Sequence, residues 1–215
     1  KKIFELDGDE FFNASFDLVG ADNRSDIIVR HILDSLSAWP VIDQLIKSRI
    51  NVTNSTDASE NQANHSAQTS ADFCLSDIGT GSGLPGIPLA IILRLVYPHV
   101  KVKLVERMSR RCAFLENCVA LLGLKNVTVY NMELERLAPD FTDIAVFRAF
   151  RPLDKKITKN LLRIVKKGGY LAAYKAKKDK IQEEMEAIKN FIPEYTIQPL
   201  TLPFLVYLEF YQHLY

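Results

Sequence analysis

Between Asp77 and Ala90 the chain reads DIGTGSGLPGIPLA, with Gly79, Gly81, Gly83 and Gly86 falling inside eight residues and Pro85 and Pro88 among them. So much glycine and proline suits neither a strand nor the interior of a helix. The stretch follows an apolar run, Phe73–Asp77, and leads into a helical pattern, Pro88–Tyr97. A glycine turn from strand to helix lets bare backbone approach a ligand that any Cβ would push away. The helix behind it offers unpaired N–H groups to that ligand. The stretch reads as a cofactor cradle, and it requires a strand–helix unit around it.

The rest of the 215-residue chain supplies that unit several times over. Apolar runs at Phe73–Asp77, Val102–Glu106, Val127–Tyr130, Ile144–Phe147 and Tyr170–Tyr174 predict strands, and Pro88–Tyr97, Ser109–Leu122, Leu153–Val165 and Asp179–Phe191 predict the helices between them. Such alternation gives a parallel sheet covered on both faces. Beyond Pro193 two more strand-like pieces, Thr196–Leu200 and Phe204–Tyr211, have no helix between them and predict an antiparallel edge. The expected fold is α/β and Rossmann-like, with a mostly parallel sheet of seven strands. Upstream, Ser25–Trp39 has the 3.6-residue period of an amphipathic helix with Ser25 as N-cap and Pro40 as its stop. Asn51–Asp72 holds a single Val/Ile/Leu/Phe residue and cannot bury enough surface to offset its ordering entropy. The expected organisation is an N-terminal helical appendage (1–50), a flexible low-complexity insertion (51–72) and a main domain (73–215).

At 47% apolar and 25% charged residues the composition is that of a soluble domain. No run approaches the roughly 18–20 apolar residues of a membrane span. Cys74, Cys112 and Cys118 are too few and scattered for a disulfide framework or a zinc site, so no metal is expected. Asn13, Asn51, Asn54, Asn64 and Asn126 each begin an Asn-x-Ser/Thr triplet, but with no signal peptide in view they are read as chance matches in an intracellular chain.

Two cofactor classes fit the glycine loop. Gly81-Ser-Gly83-Leu-Pro-Gly86 matches the dinucleotide pattern, with Glu106 placed 25 residues on as a ribose-binding acid. Pro85 and Pro88 weigh against it, because they remove N–H donors where a pyrophosphate would want them. Asp77 adds a carboxylate at the strand's tip, unfavourable to a dianion and suited to a cation. With Gly79, Gly81 and Gly83 it makes an acid-x-Gly-x-Gly-x-Gly loop that suits the sulfonium cofactor S-adenosylmethionine, and Glu106 would then accept from the ribose hydroxyls. Methyl transfer is the favoured reading; a nicotinamide-dependent oxidoreductase and a non-catalytic RNA-binding protein with a relic loop are the alternatives.

RHILDSL (Arg30–Leu36), DIGTGSGLPGIPLA, LVERMSRRCAFL (Leu104–Leu115) and FRAF (Phe147–Phe150) occur in an order and spacing that resemble one family. It is the bacterial small-subunit ribosomal RNA methyltransferase G family, also called glucose-inhibited division protein B. The resemblance implies a cytoplasmic class I methyltransferase, expected as a monomer, that uses S-adenosylmethionine to methylate a guanine N7 of 16S rRNA near the decoding site. Its substrate would be the rRNA itself or a small-subunit assembly intermediate. The resemblance also implies that Gly79 and Leu84 touch the cofactor from the loop, that Leu134 and Glu135 flank the adenine, that Arg148 is a cofactor-side arginine, and that Lys175 faces the substrate. Phe147 and Arg107 depart from the family's serines at those places.

Charge is unevenly spread. Residues 151–180 carry eleven Lys/Arg and two Asp/Glu, although the whole chain is only +1. That asymmetry is expected of a polyanion-binding face. His31 is expected either as a structural helix residue paired with Asp34 or, with Arg30 and Asp34, as a group facing the cleft. Guanine N7 carries a free lone pair, so the chemistry requires no general base.

Overall fold

The computed structural model describes residues 27–56, 73–148, 150–175 and 178–200. Among these residues five strands are seen: β1 (Cys74–Ile78), β2 (Lys101–Glu106), β3 (Val127–Asn131), β4 (Thr142–Arg148) and β5 (Val165–Tyr174). They pair in parallel in the order β3-β2-β1-β4-β5. Every residue of β1 is buried, as is all of β4 before Arg148. A strand covered on both faces is expected to be mostly apolar, and CLSDI and TDIAVFR depart from this at Ser76, Asp77, Thr142 and Asp143, of which Asp77, Thr142 and Asp143 accept or donate specific hydrogen bonds.

One face is covered by α2 (Trp39–Thr56), α3 (Gly86–Val96) and α4 (Ser109–Leu121), and the other by α5 (Lys155–Ile164) and α6 (Lys178–Ile188). The first core joins Ile42, Ile46, Leu75, Leu93, Leu104 and Ile144, and the second joins Ile78, Ala145, Phe147, Leu161 and Ile188. Alternation along a strand sends Leu75 and Ile78 into different cores. α5 starts on a true cap, Asp154, whose carboxylate accepts the Ile157 N–H at 2.7 Å. The order reverses at β1, which has β2 on one side and β4 on the other. The crevice above their carboxyl ends is the ligand position of an open α/β sheet.

Three expectations change. Pro40 does not stop a helix: it stands in the first turn of α2, where its missing N–H has no partner to lose. The preceding segment is a π-helix (Ile27–Leu33) followed by α1 (Asp34–Ser37), and Ser25 lies outside the described residues. α2 also runs through Asn51–Thr56, because a helix anchored by fully buried Ile42 and Ile46 can propagate into a polar sequence. Residues 57–72 lie outside the description. Thr196–Leu200 is exposed and forms no strand among the described residues, while its expected partner Phe204–Tyr211 lies outside them.

At the end of the sheet opposite the glycine loop, Asp143 is buried between two cations. Its Oδ2 accepts Lys166 Nζ at 2.8 Å and the Cys74 N–H at 3.0 Å, and Arg49 Nε lies 3.5 Å from Oδ1. This one carboxylate joins α2, β1, β4 and β5. Removing it takes the carboxylate away from buried Arg49 and half-buried Lys166, and losing one partner of a buried pair costs about 3–5 kcal/mol. Asp143→Ala is expected to lose at least about 3 kcal/mol in urea unfolding, and Asp143→Asn less.

Candidate active site

The loop after β1 needs the conformations only glycine takes easily: φ is +70° at Gly79, +60° at Gly81 and +90° at Gly83. The Gly79 and Thr80 N–H groups both donate to the Val105 carbonyl, at 2.9 and 3.1 Å, which pins the loop over β2. A Cβ on Gly79 would lie 2.5 Å from Cδ2 of Phe150, whose ring closes on the bare backbone.

Asp77 holds the loop from beneath. Its Oδ2 accepts Thr80 Oγ1 at 2.6 Å and the Gly86 N–H at 2.7 Å, and a Cβ on Gly86 would intrude on the same carboxylate. The residue is fully buried, and Oδ1 takes no hydrogen bond from any described residue. Burial pushes this carboxyl up to about 6, against the Thr80 and Gly86 hydrogen bonds and the Arg148 charge that pull it down. A half-paired buried acid has room for a cationic partner.

Glu106 ends β2 almost wholly buried, accepting the Gly81 N–H at Oε2 (3.1 Å) and the Met108 N–H at Oε1 (2.8 Å). An ionised carboxylate has about four acceptor positions, so further donors can still approach. Above it opens a cavity of about 290 Å³, walled by Gly79, Glu106, Arg107, Met108, Arg111, Met132, Leu134, Phe150 and Arg151 among others. Leu134 is a buried wall residue on a 3₁₀ turn (Leu134–Arg136), and Arg163 fixes that turn by donating to the carbonyls of Leu134, Glu135 and Leu137.

The second wall of the crevice involves the N-terminal segment. Arg148 Nη1 donates to Asp34 Oδ2 at 2.7 Å, and the Tyr174 hydroxyl donates to the Ser35 carbonyl at 2.9 Å. Arg148 and Tyr174 are register partners on β4 and β5, so two adjacent residues of α1 grip two adjacent strand ends. Burial first, then the charges of Asp77 and Asp34, hold the Tyr174 hydroxyl far above the ordinary phenol range.

Of the residues singled out in the sequence, Gly79, Glu106 and Leu134 line the cavity, Gly81 bonds to Glu106 in its wall, and Asp77 lies buried beneath the loop, bonded to Thr80 and Gly86. Leu84 is half-buried in the loop, its N–H donating to the Thr80 carbonyl. Glu135 stands beside Arg151 at 3.4 Å and does not line the cavity. Lys175 leaves β5 but bonds to Glu184 of α6 at 2.6 Å, while the His31 carbonyl accepts the Ser35 hydroxyl, and neither residue lines the cavity. Sequence reasoning did not find Tyr174, Phe150 or Arg111. Phe150 had a signal, since it ends the FRAF segment, but Tyr174 shows its role only through a bond 139 residues distant.

The family described as rRNA small subunit methyltransferase G matches residues 50–205. The ribosomal RNA small subunit methyltransferase G of Treponema denticola is 43% identical over 197 residues, covering 91% of this chain and 78% of that protein. Its namesake in Treponema pallidum (strain Nichols) is 35% identical over 195 residues, 90% and 74% of the two chains. That of Borrelia garinii subsp. bavariensis is 31% identical over 192 residues, 87% and 76%. With this loop at the switch point of this sheet, the chain belongs to the ribosomal RNA small subunit methyltransferase G family.

Proposed function

We propose that the protein transfers a methyl group from S-adenosylmethionine to N7 of a guanine in 16S rRNA, acting in the cytoplasm as a monomer. The observation that carries this reading is the cavity over the glycine loop, with Asp77 buried beside it and one carboxylate oxygen unpartnered. A buried acid with a spare oxygen suits a ligand that is cationic at sulfur and nitrogen. It opposes a pyrophosphate, and the nicotinamide alternative finds no support. A relic loop would not need Asp77, Thr80 and Gly86 locked so closely.

The residues fit the cofactor group by group. Glu106 would hold the ribose hydroxyls, Leu134 would pack on the adenine, and Asp77 and Arg148 would hold the amino-acid end, with Gly79 and Gly81 giving backbone room. Bound there, S-adenosylmethionine supplies an electrophilic methyl group. The protein's part is positioning and electrostatics. Asp34 holds the Arg148 guanidinium in place, and the Arg148 charge keeps Asp77 more ionised than burial alone would. Lys175, braced by Glu184 where β5 ends, would face the RNA in this reading.

The basic segment divides once it is folded. Arg163 caps a turn, Lys166 is tied to Asp143 at the far end of the sheet, and Lys175 is paired. Lys155, Lys156 and Lys159 stay exposed on α5, whose first turn follows the β4 exit beside the cavity. These three are the phosphate grip. No helix among the described residues is long and apolar enough to cross a membrane.

Calorimetry should show S-adenosylhomocysteine binding that Gly79→Arg abolishes, and mass mapping of 16S rRNA should show one guanine gaining a methyl group only when the protein is present. NAD binding with no response to the adenosyl ligand would overturn the reading.

Protonation of Asp77 removes the charge that faces the cofactor, so S-adenosylmethionine affinity should fall about tenfold between pH 7.5 and pH 5. Asp77→Asn should flatten that profile. The same group affects stability with the opposite sign. Its folded pKa lies above the unfolded 3.8, so the folded chain binds the extra proton, and stability declines by roughly 3 kcal/mol as pH rises from about 4 to about 6. Urea unfolding across that window measures it.

Each phosphate contact contributes about 0.9 to the slope of log affinity against log salt on duplex, and about 0.7 on single strands. Lys155→Ala, Lys156→Ala and Lys159→Ala together should lower that slope by roughly 2–3 units with cofactor affinity unchanged. Lys166→Ala should leave the slope alone and lower stability. An unchanged slope in the triple variant returns those lysines to a solvated helix face.

A further inference from the structure

Phe150 is placed in a way that the fold alone does not require. One edge of its ring, Cδ2 and Cε2, abuts the bare Gly79 backbone, and behind it stands the buried ring of Phe147, 6.0 Å away and tilted by 60°. Phe150 lines the cavity with Glu106 and Gly79, yet is only half-buried. The group over its ring is the Arg151 guanidinium, with its central carbon 5.2 Å from the ring centroid. Arg151 is itself loosely held. Its side chain is 52% exposed and reaches Glu135 only at 3.4 Å, a surface pair of little energetic weight. An aromatic ring fixed on its edge and back, and covered by a displaceable planar cation, has the form of a stacking platform. Single-stranded bases are bound in this way, on aromatic faces and between them and arginine planes.

We propose that Phe150 is a catalytic residue whose ring carries the target guanine and stabilises the positive charge that arises on it. The inference rests on the methyltransferase reading above and deepens it. In the transfer, a bond forms between guanine N7 and the methyl carbon while the carbon–sulfur bond breaks. Its electron pair stays on sulfur, and the positive charge passes from sulfur to the base without any proton moving. The face of a phenyl ring is negative and attracts a cation. It therefore binds the methylating base more strongly than the neutral one, and only such differential binding speeds the chemical step. Arg151, a cation, opposes a charged base and must be moved aside by it. Glu135 and the incoming phosphates are its available partners. Phe147 backs the platform with a second ring.

The test keeps the shape of Phe150 and drains its ring face. Mono-, di- and trifluorinated phenylalanine at position 150 are compared with the wild type in single-turnover methyl transfer on 16S rRNA, together with S-adenosylmethionine and S-adenosylhomocysteine affinities. The rate should fall progressively along the series, by about three- to thirty-fold in all. Both cofactor affinities should stay within about twofold, since the ring faces the base. A fall in S-adenosylmethionine affinity without one for the uncharged homocysteine form would place the ring on the sulfonium and overturn the proposal. A constant rate across the series would also overturn it, leaving Phe150 as packing for Gly79. Phe150→Leu, which fills similar space without a π-face, should reproduce the trifluoro rate while melting within a few degrees of the wild type; a wild-type rate in this variant counts against the proposal. Absence of methyl transfer by the wild-type protein removes the methyltransferase reading itself, and a wild-type rate with an unresponsive fluoro series removes only the role of Phe150.

Discussion

The crevice of this protein depends on one buried carboxylate. Asp77 is the penultimate residue of β1, and through a single oxygen it binds both the Thr80 hydroxyl and the first N–H of α3. That pair of bonds sets where the loop leaves the strand and where the helix begins. The left-handed glycines between them then have little freedom left, and Gly81 is delivered to Glu106. An asparagine would keep the shape but lose the charge, and an alanine would leave a helix N–H buried without an acceptor. The cradle is thus assembled by the same group that gives it its electrostatic sign.

Around this centre the N-terminal segment contributes to the site as well as to packing. Asp34 and Ser35 hold Arg148 and Tyr174, and Arg148 in turn acts on Asp77 through its field. The π-helical stretch before Asp34 is consistent with this, since such turns are rare and concentrate where function requires an irregular placement of side chains. At the other end of the sheet Asp143 performs the complementary task of fastening α2 and β5 to β4. The two ends of the sheet are held by carboxylates of opposite character: Asp143 is fully occupied, and Asp77 is half free.

What could be read from the sequence was what depends on neighbours along the chain. Glycine spacing, strand–helix alternation and the acid ending β2 are local signals, and the five parallel strands and their crevice followed from them. Other features depend on residues far apart. Arg148 and Asp34 are separated by 114 residues, and no spacing rule links them. Lys166 looked like one lysine among many until its partner, 23 residues earlier, showed it to be a structural group. Pro40 illustrates a different limit: proline breaks a helix interior and begins a helix equally well, and only the buried Ile42 and Ile46 that follow decide between the two. At Thr196–Leu200 strand propensity was not enough for a strand among the described residues, since such propensity depends on the surface a strand packs and pairs against.

The half-free state of Asp77 has an energetic meaning. A carboxyl pushed up to about 6 destabilises the folded chain at neutral pH relative to a solvated one. A fold selected for stability alone would pair it fully, as it pairs Asp143. Here one oxygen takes no hydrogen bond from any described residue, and in the proposed cofactor complex a cation paired with it would offset that destabilisation. The attraction must also be graded. A fully ionised, unscreened acid would hold the sulfonium tightly but would resist the departure of charge from sulfur to base, since uniform ground-state binding does not lower the barrier. Arg148 moderates Asp77 from one side while keeping it ionised, and an aromatic face at Phe150 offers the migrating charge a second place to settle. The site is arranged so that a positive charge can enter on one side and leave on the other.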